Sequence, residues 1–293
     1  MNGKQIKTVI FITVMLFVPV VHFILFWGVV NFNSILLSFR RLDPSTGNMF
    51  FTFENFKSLP RRWESDSLRI CFTNTFLTFG FLAGFLLPWG FFVTYFLYKK
   101  IPGSGLWRTM FFIPTVMPAL AMTAIFVHLV DFQGPVGKLW SLFGKQPPFF
   151  LIEASIAKYT VLLYIFLTNF GGQFILFSGA MARIPQEVVE AAYIDGAGMR
   201  TEVFRITLPL CWPTISMLLL LNVAGLFMAS GPILLLTRGF AETGTVAFWI
   251  FVKVTQNDLN LSAALGLFCT VVLFPVVLLA RWGLGKVYAD VQF

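Results

Sequence analysis

Two sets of residues carry the polar chemistry of a chain that is otherwise largely apolar. The first is a run at 184–213. It reads Ile184-Pro185-Gln186-Glu187-Val188-Val189-Glu190-Ala191-Ala192-Tyr193-Ile194-Asp195-Gly196-Ala197-Gly198, then Phe204, Leu208-Pro209 and Pro213. The second is Thr168, Asn169, Gly172 and Gln173, followed by Asn222 and Gly225, all within stretches that lack a charged side chain. Neither set has the make-up of a catalytic centre. No G-x-x-x-x-G-K-[ST] occurs, so the chain has no P-loop for ATP. His22 and His128 lie in or at the end of apolar runs, and the three cysteines, Cys71, Cys211 and Cys269, fit neither a zinc site nor a disulfide framework. No metal or cofactor is expected in this chain, and a membrane-embedded enzyme finds no catalytic cluster.

The first set can present a shape. Pro185 suits the first turn of a helix, where a missing N–H costs nothing. Glu187 and Glu190 favour that helix's positive end, and Ala191-Ala192 offer a small face that another surface can approach. Asp195-Gly196 should end the helix, because glycine accepts backbone angles that other residues resist. A second short helix is expected from about Thr201 to Leu208, interrupted by Pro209. The plain alternative is an ordinary amphipathic loop. The second set can offer hydrogen bonds. Asn169 and Gln173 are four apart, on one helix face. Amides in hydrocarbon need partners: either one another and neighbouring helices, or the hydroxyls of a solute in a cavity.

The elements that must position these residues are membrane spans. The 293 residues are 57% hydrophobic and 12% charged, with mean hydropathy +0.81; soluble domains are about 25% charged. Six windows free of Asp, Glu, Lys and Arg reach the length of about 20 residues that crosses a bilayer as helix: 8–39, 70–98, 109–130, 159–182, 206–237 and 259–280. The first is too long in its apolar core for a cleaved signal peptide. The run 243–252 is too short to span. No Asp, Glu, Lys or Arg falls within the six windows, which argues against an ion-coupled carrier and suits a neutral solute. The +8 net charge is scattered over short loops and fits lipid headgroups better than nucleic acid. The chain reads as one all-α membrane domain, 1–293. The basic residues divide almost evenly between the two sides, so the positive-inside rule leaves the orientation open.

Glu190-Ala191-Ala192, Asp195-Gly196-Ala197, Phe204 and Leu208-Pro209, with Ile184-Pro185 ahead, resemble the EAA loop of ABC importer permeases in type and spacing. Phe53-Glu54-Asn55-Phe56, Asn74-Thr75 and the Arg108…Pro114/Pro118 arrangement are similar to the carbohydrate class of that family. Thr237-Arg238-Gly239-Phe240 departs from its usual T-x-G-G-P turn, a difference that bears on a substrate gate. The C-terminal Lys286–Phe293 segment lacks the glycine-rich ending of the other partner, so the chain resembles the first permease of maltose- or glycerol-phosphate-type importers.

The resemblance implies a six-helix type I importer permease, with 184–213 in the cytoplasm and both termini on that side. Glu190, Ala191, Ala192, Asp195, Gly196, Ala197, Phe204 and Pro209 would then couple to an ATPase. Thr168, Asn169, Gly172, Gln173, Asn222 and Gly225 would face the pathway of a sugar. The implied partners are a second similar permease, two cytoplasmic ABC ATPase subunits that bind ATP-Mg, an extracytoplasmic solute-binding protein and the bacterial cytoplasmic membrane. The competing reading is a secondary carrier or channel that needs no ATPase.

Overall fold

Long apolar runs fold as helices in a membrane because hydrocarbon offers no partner for an open backbone group. The computed structural model describes residues 3–42, 48–65 and 67–287. The expected turn at Asp43–Asn48 lies mostly outside the described residues, as does most of the Lys286–Phe293 ending. Among the described residues five helices are long and apolar enough to cross a membrane: Lys7–Ser38, Leu68–Tyr98, Ala119–Leu142, Ala154–Met181 and Leu259–Val287. A bent pair, Met199–Leu210 and Trp212–Ala224, makes a sixth if taken as one span. A two-stranded antiparallel ribbon, Arg40–Leu42 with Met49–Phe51, adds the only strands described.

The chain divides into two compact units. In the first, Met1–Trp63 with Ile250–Val271, the Glu54–Ser65 helix is fastened to the end of the first span. The buried Asn55 amide donates to the carbonyls of Ser38 and Arg40, both at 2.9 Å. Phe39 meets Phe53 and Phe56 at ring centroid distances of 5.3 and 5.2 Å. The Glu54-Asn55-Phe56 triplet thus works as a clamp on the chain's first exit from a span.

The second unit, Glu64–Trp249 with Val272–Phe293, is built on the Ala154–Met181 helix. Close approach to Ser104–Val116 depends on Gly171: a Cβ there would stand 2.2 Å from Thr115 Oγ1, whose hydroxyl donates to Thr168 O at 3.2 Å. On its other side Leu87, Phe91, Tyr95, Phe177, Met181, Val203 and Cys211 share one buried cluster.

Two expected spans are not single helices. The 109–130 window is split into Ser104–Val116 and Ala119–Val130. Pro118 drives its predecessor out of the helical region, and Met117 is extended at ψ 141°. Pro114, by contrast, stays within its helix. The 206–237 window also breaks. Trp212–Ala224 ends at Gly225, and Gly231–Leu236 is a separate short helix, so Gly225 caps the helix that was expected to contain it.

Pro209 does not interrupt its helix either. The π-helical turn Glu202–Thr207 runs straight into Leu208–Leu210, and the bend of 65° falls at Cys211 instead. The wider turn relieves the clash between a proline ring and the carbonyl one turn back. The same device, Leu82–Leu86, comes just before Pro88.

Candidate functional site

The 184–213 segment forms two short helices joined by a tight turn. Pro185 is the capping residue rather than the first helical one, and Gln186–Ile194 follows with Glu187 in its first turn. The helix ends at a left-handed Gly196, φ +77°. Gly196 N–H donates to Tyr193 O at 3.0 Å and Ala197 N–H reaches back to Ala192 O at 2.8 Å. This pair of bonds is a Schellman motif, which satisfies the last carbonyls of a helix when the residue after the cap is left-handed. The expected turn at Asp195-Gly196 is therefore present and has a specific geometry. Met199–Leu210 leads away.

The knob's faces differ. Glu190, Ala191, Asp195 and Gly196 are exposed, and so are Ile194 (86%) and Met199 (53%). Ala192 and Ala197 are half-buried, so only Ala191 of the alanine pair lies on the free surface. Phe204 is half-exposed and sets an edge against Phe92 at 6.0 Å. Pro209 is partly buried at the second position of its short helix, Leu208–Leu210.

Glu202 is the functional candidate the sequence did not reveal. It is 2% exposed and carries a charge beside the membrane core. Its Oε1 pairs with Lys99 Nζ. Lys99 also donates to Tyr193 Oη at 2.6 Å, and that hydroxyl donates to Glu202 Oε2 at 2.9 Å. Burial by itself would lower the pKa of Lys99, but its hydrogen bonds to Glu202 and Tyr193 outweigh this and raise it. A lysine raised in the folded state contributes stability below its ordinary pKa and loses it only as pH climbs through the raised value. Lys99 therefore stays protonated throughout the neutral range. In sequence Glu202 looks like any helical acid, because its partner stands at the end of a different helix.

The pathway candidates separate. Asn169 is exposed and donates to Ile165 O at 3.0 Å within its own helix. Thr168 is half-buried and bonds Tyr164 O at 3.0 Å. Gly172 has no atom within 4 Å of a Cβ position. Gln173 is half-buried, with an Oε1 that has no hydrogen-bond partner. Asn222 and Gly225 are half-buried, and no described hydrogen bond joins Asn222 to Asn169 or Gln173. The three amides do not pair with one another. An aromatic ladder runs nearby: Phe85 meets Phe81 at 5.3 Å, Trp89 at 5.9 Å and Phe166 at 6.3 Å. With 37 Phe in the chain, composition alone could not single these out.

A bundle of apolar helices with an exposed helix–glycine–helix knob between two of them has the architecture of a membrane permease. Residues 77–289 match the family of binding-protein-dependent transport system inner membrane components, and the chain belongs to that family. It is 27% identical over 244 residues to the multiple sugar-binding transport system permease protein MsmF of Streptococcus mutans, covering 81% of each chain. It is 30% identical over 264 residues to the sn-glycerol-3-phosphate transport system permease protein UgpA of Salmonella typhi, covering 84% of this chain and 83% of that one. The fold matches a crystal structure of a bacterial ABC transporter involved in the import of the acidic polysaccharide alginate, with TM-score 0.85, 21% identity, and 97% and 98% coverage. The chain is thus an all-α transmembrane permease, a transport subunit of an ABC importer. The family speaks for this reading and not for an ATPase-independent carrier or channel.

Proposed function

We propose that this permease forms half of a pathway for a neutral sugar or oligosaccharide. An extracytoplasmic binding protein delivers the solute, and two cytoplasmic ATPase subunits power its entry by binding ATP-Mg. A second, similar permease supplies the other half. The sugar assignment draws on the names of the relatives and on six windows without Asp, Glu, Lys or Arg.

The observation that carries the reading is the knob, a short helix closed by a Schellman turn at Gly196 with Glu190, Ala191 and Ile194 on its free face. Such a face fits a cleft in a partner. In the cell membrane, with 184–213 and both termini in the cytoplasm, ATP binding closes the ATPase dimer and draws the docked knobs together. The spans tilt from inward-open to outward-open, and the binding protein releases its solute into the cavity. This is coupling between two sites through two discrete states. Asn169, Asn222 and Thr168 then offer hydrogen bonds to solute hydroxyls, and Phe166 offers a ring face one turn from Asn169.

The test is joint purification. The ATPase should co-purify with the wild-type permease and be lost with Glu190→Ala combined with Ile194→Glu, at unchanged membrane level. Retention of the ATPase by that double variant removes the docking role. The ligand carried by the co-purified binding protein identifies the solute class.

A further inference from the structure

The Leu68–Tyr98 helix is fastened at both ends to segments far away in the chain. At one end Lys99, directly after its last residue, enters the triangle with Glu202 and Tyr193. Phe92, two turns back, packs on Phe204. Both attachments belong to the knob and its exit helix. At the other end the buried Asn74 amide donates to Glu242 O at 2.6 Å and to Gly244 O at 2.9 Å. Thr75 Oγ1 accepts Val246 N–H at 3.0 Å. These bonds seize the 238–246 loop, where Arg238, Gly239, Ala241 and Glu242 all have positive φ.

Each attachment resists breaking for a physical reason. Glu202 is buried, and a buried charge deprived of its partner is strongly unfavourable. Backbone carbonyls of a tightly coiled loop have few other donors, so the Asn74 amide holds two groups that would otherwise be left unpaired. Between the attachments the helix is unbroken from Leu68 to Tyr98, with the π-helical turn Leu82–Leu86 absorbing Pro88.

We propose that Leu68–Tyr98 is a connecting rod. It transmits displacement of the knob, gripped through Lys99 and Phe92, to the 238–246 loop, gripped through Asn74 and Thr75. The loop is then a gate element on the face opposite the ATPase, and Lys99, Glu202, Asn74 and Thr75 are positioning residues that act through the rod. The proposal rests on the reading of 184–213 as the ATPase-docking knob.

The experiment uses the assembled importer in lipid nanodiscs with a single reporter thiol, Phe240→Cys, at a loop position 74% exposed. The three native cysteines are buried and stay in place. The rate of reaction with a charged maleimide is compared in the nucleotide-free and ATP–vanadate-trapped states. In the wild-type background, trapping should change the rate. Glu202→Gln and Asn74→Leu should each abolish that change while the ATPase stays bound and vanadate still traps nucleotide. The exchange Lys99→Glu with Glu202→Lys should restore it, as expected if the ion pair itself makes the attachment. If either variant fails to assemble, Tyr193→Phe and Thr75→Val remove a single hydroxyl each and should reduce the response. The rod is disproved if the wild type shows no change on trapping, or if the assembled variants respond like wild type. Failure of the docking reading is separate: the ATPase would then be retained by the Glu190→Ala, Ile194→Glu double variant.

Discussion

Gln173 Oε1 lies 3.0 Å from the position a Cβ would take on Gly90, and it has no hydrogen-bond partner. Its neighbour one turn back, Asn169, is exposed and satisfied by its own helix. Two amides that share a helix face in sequence therefore have opposite situations. Replacing Gln173 with Leu removes an unpaired buried acceptor, a group whose burial costs about 1–3 kcal/mol. Gln173→Leu should leave the complex as stable as wild type or more so, read as its melting temperature in detergent. Asn169→Leu should leave the melting temperature alone and lower uptake several-fold, since one useful hydrogen bond contributes about 0.5–1.5 kcal/mol. Unchanged uptake in Asn169→Leu, across sugars that differ at one hydroxyl, takes this residue out of the pathway.

Gly196 has open space around its missing side chain, so what it supplies is backbone freedom. The left-handed conformation costs an ordinary residue about 1–2 kcal/mol, and Asn tolerates it best. Uptake should fall in the order Gly, Asn, Val at position 196 with equal amounts of inserted permease. If Gly196→Val transports as well as Gly196→Asn, the Schellman turn is not what this position provides.

Gly171 is the opposite case. A Cβ there would meet Thr115 Oγ1 at 2.2 Å and Phe111 O at 2.8 Å. Gly171→Ala should push the Ala154–Met181 and Ser104–Val116 helices apart, at about 1–3 kcal/mol for overpacking. Adding Thr115→Ser removes a methyl group but keeps the close hydroxyl, whereas Thr115→Ala removes both. The yield of folded permease should recover in part with Thr115→Ala, the backbone contact with Phe111 O remaining, and not with Thr115→Ser. Equal yields in all the variants would mean the helices are not in tight contact at this point.

Orientation is decided by labelling. Lys57→Cys should react with an impermeant maleimide in intact spheroplasts, and Thr201→Cys only after permeabilisation; both positions are exposed. The reverse pattern would put the knob outside and end the docking reading.

Much of this protein is local and therefore readable along the chain. The lengths of the apolar windows demand spanning helices whatever their neighbours are, since the bilayer is the partner. Gly196 after a short amphipathic helix announces its stop, because only the backbone at that position matters. What required the tertiary structure was every property that depends on a distant partner. Pro114 and Pro118 have the same chemistry, yet only Pro118 splits its helix. Pro209 is absorbed by the π-helical turn ahead of it, and the bend moves to Cys211. Asn74 and Thr75 bind a loop that lies at the other end of the sequence. Glu202 is an ordinary helical acid until Lys99 and Tyr193 enclose it, and then it becomes a buried charge that cannot leave them. Hydropathy and backbone propensity belong to a residue and its near neighbours; hydrogen-bond and ion-pair partners belong to the packing of helices that the chain order alone does not bring together.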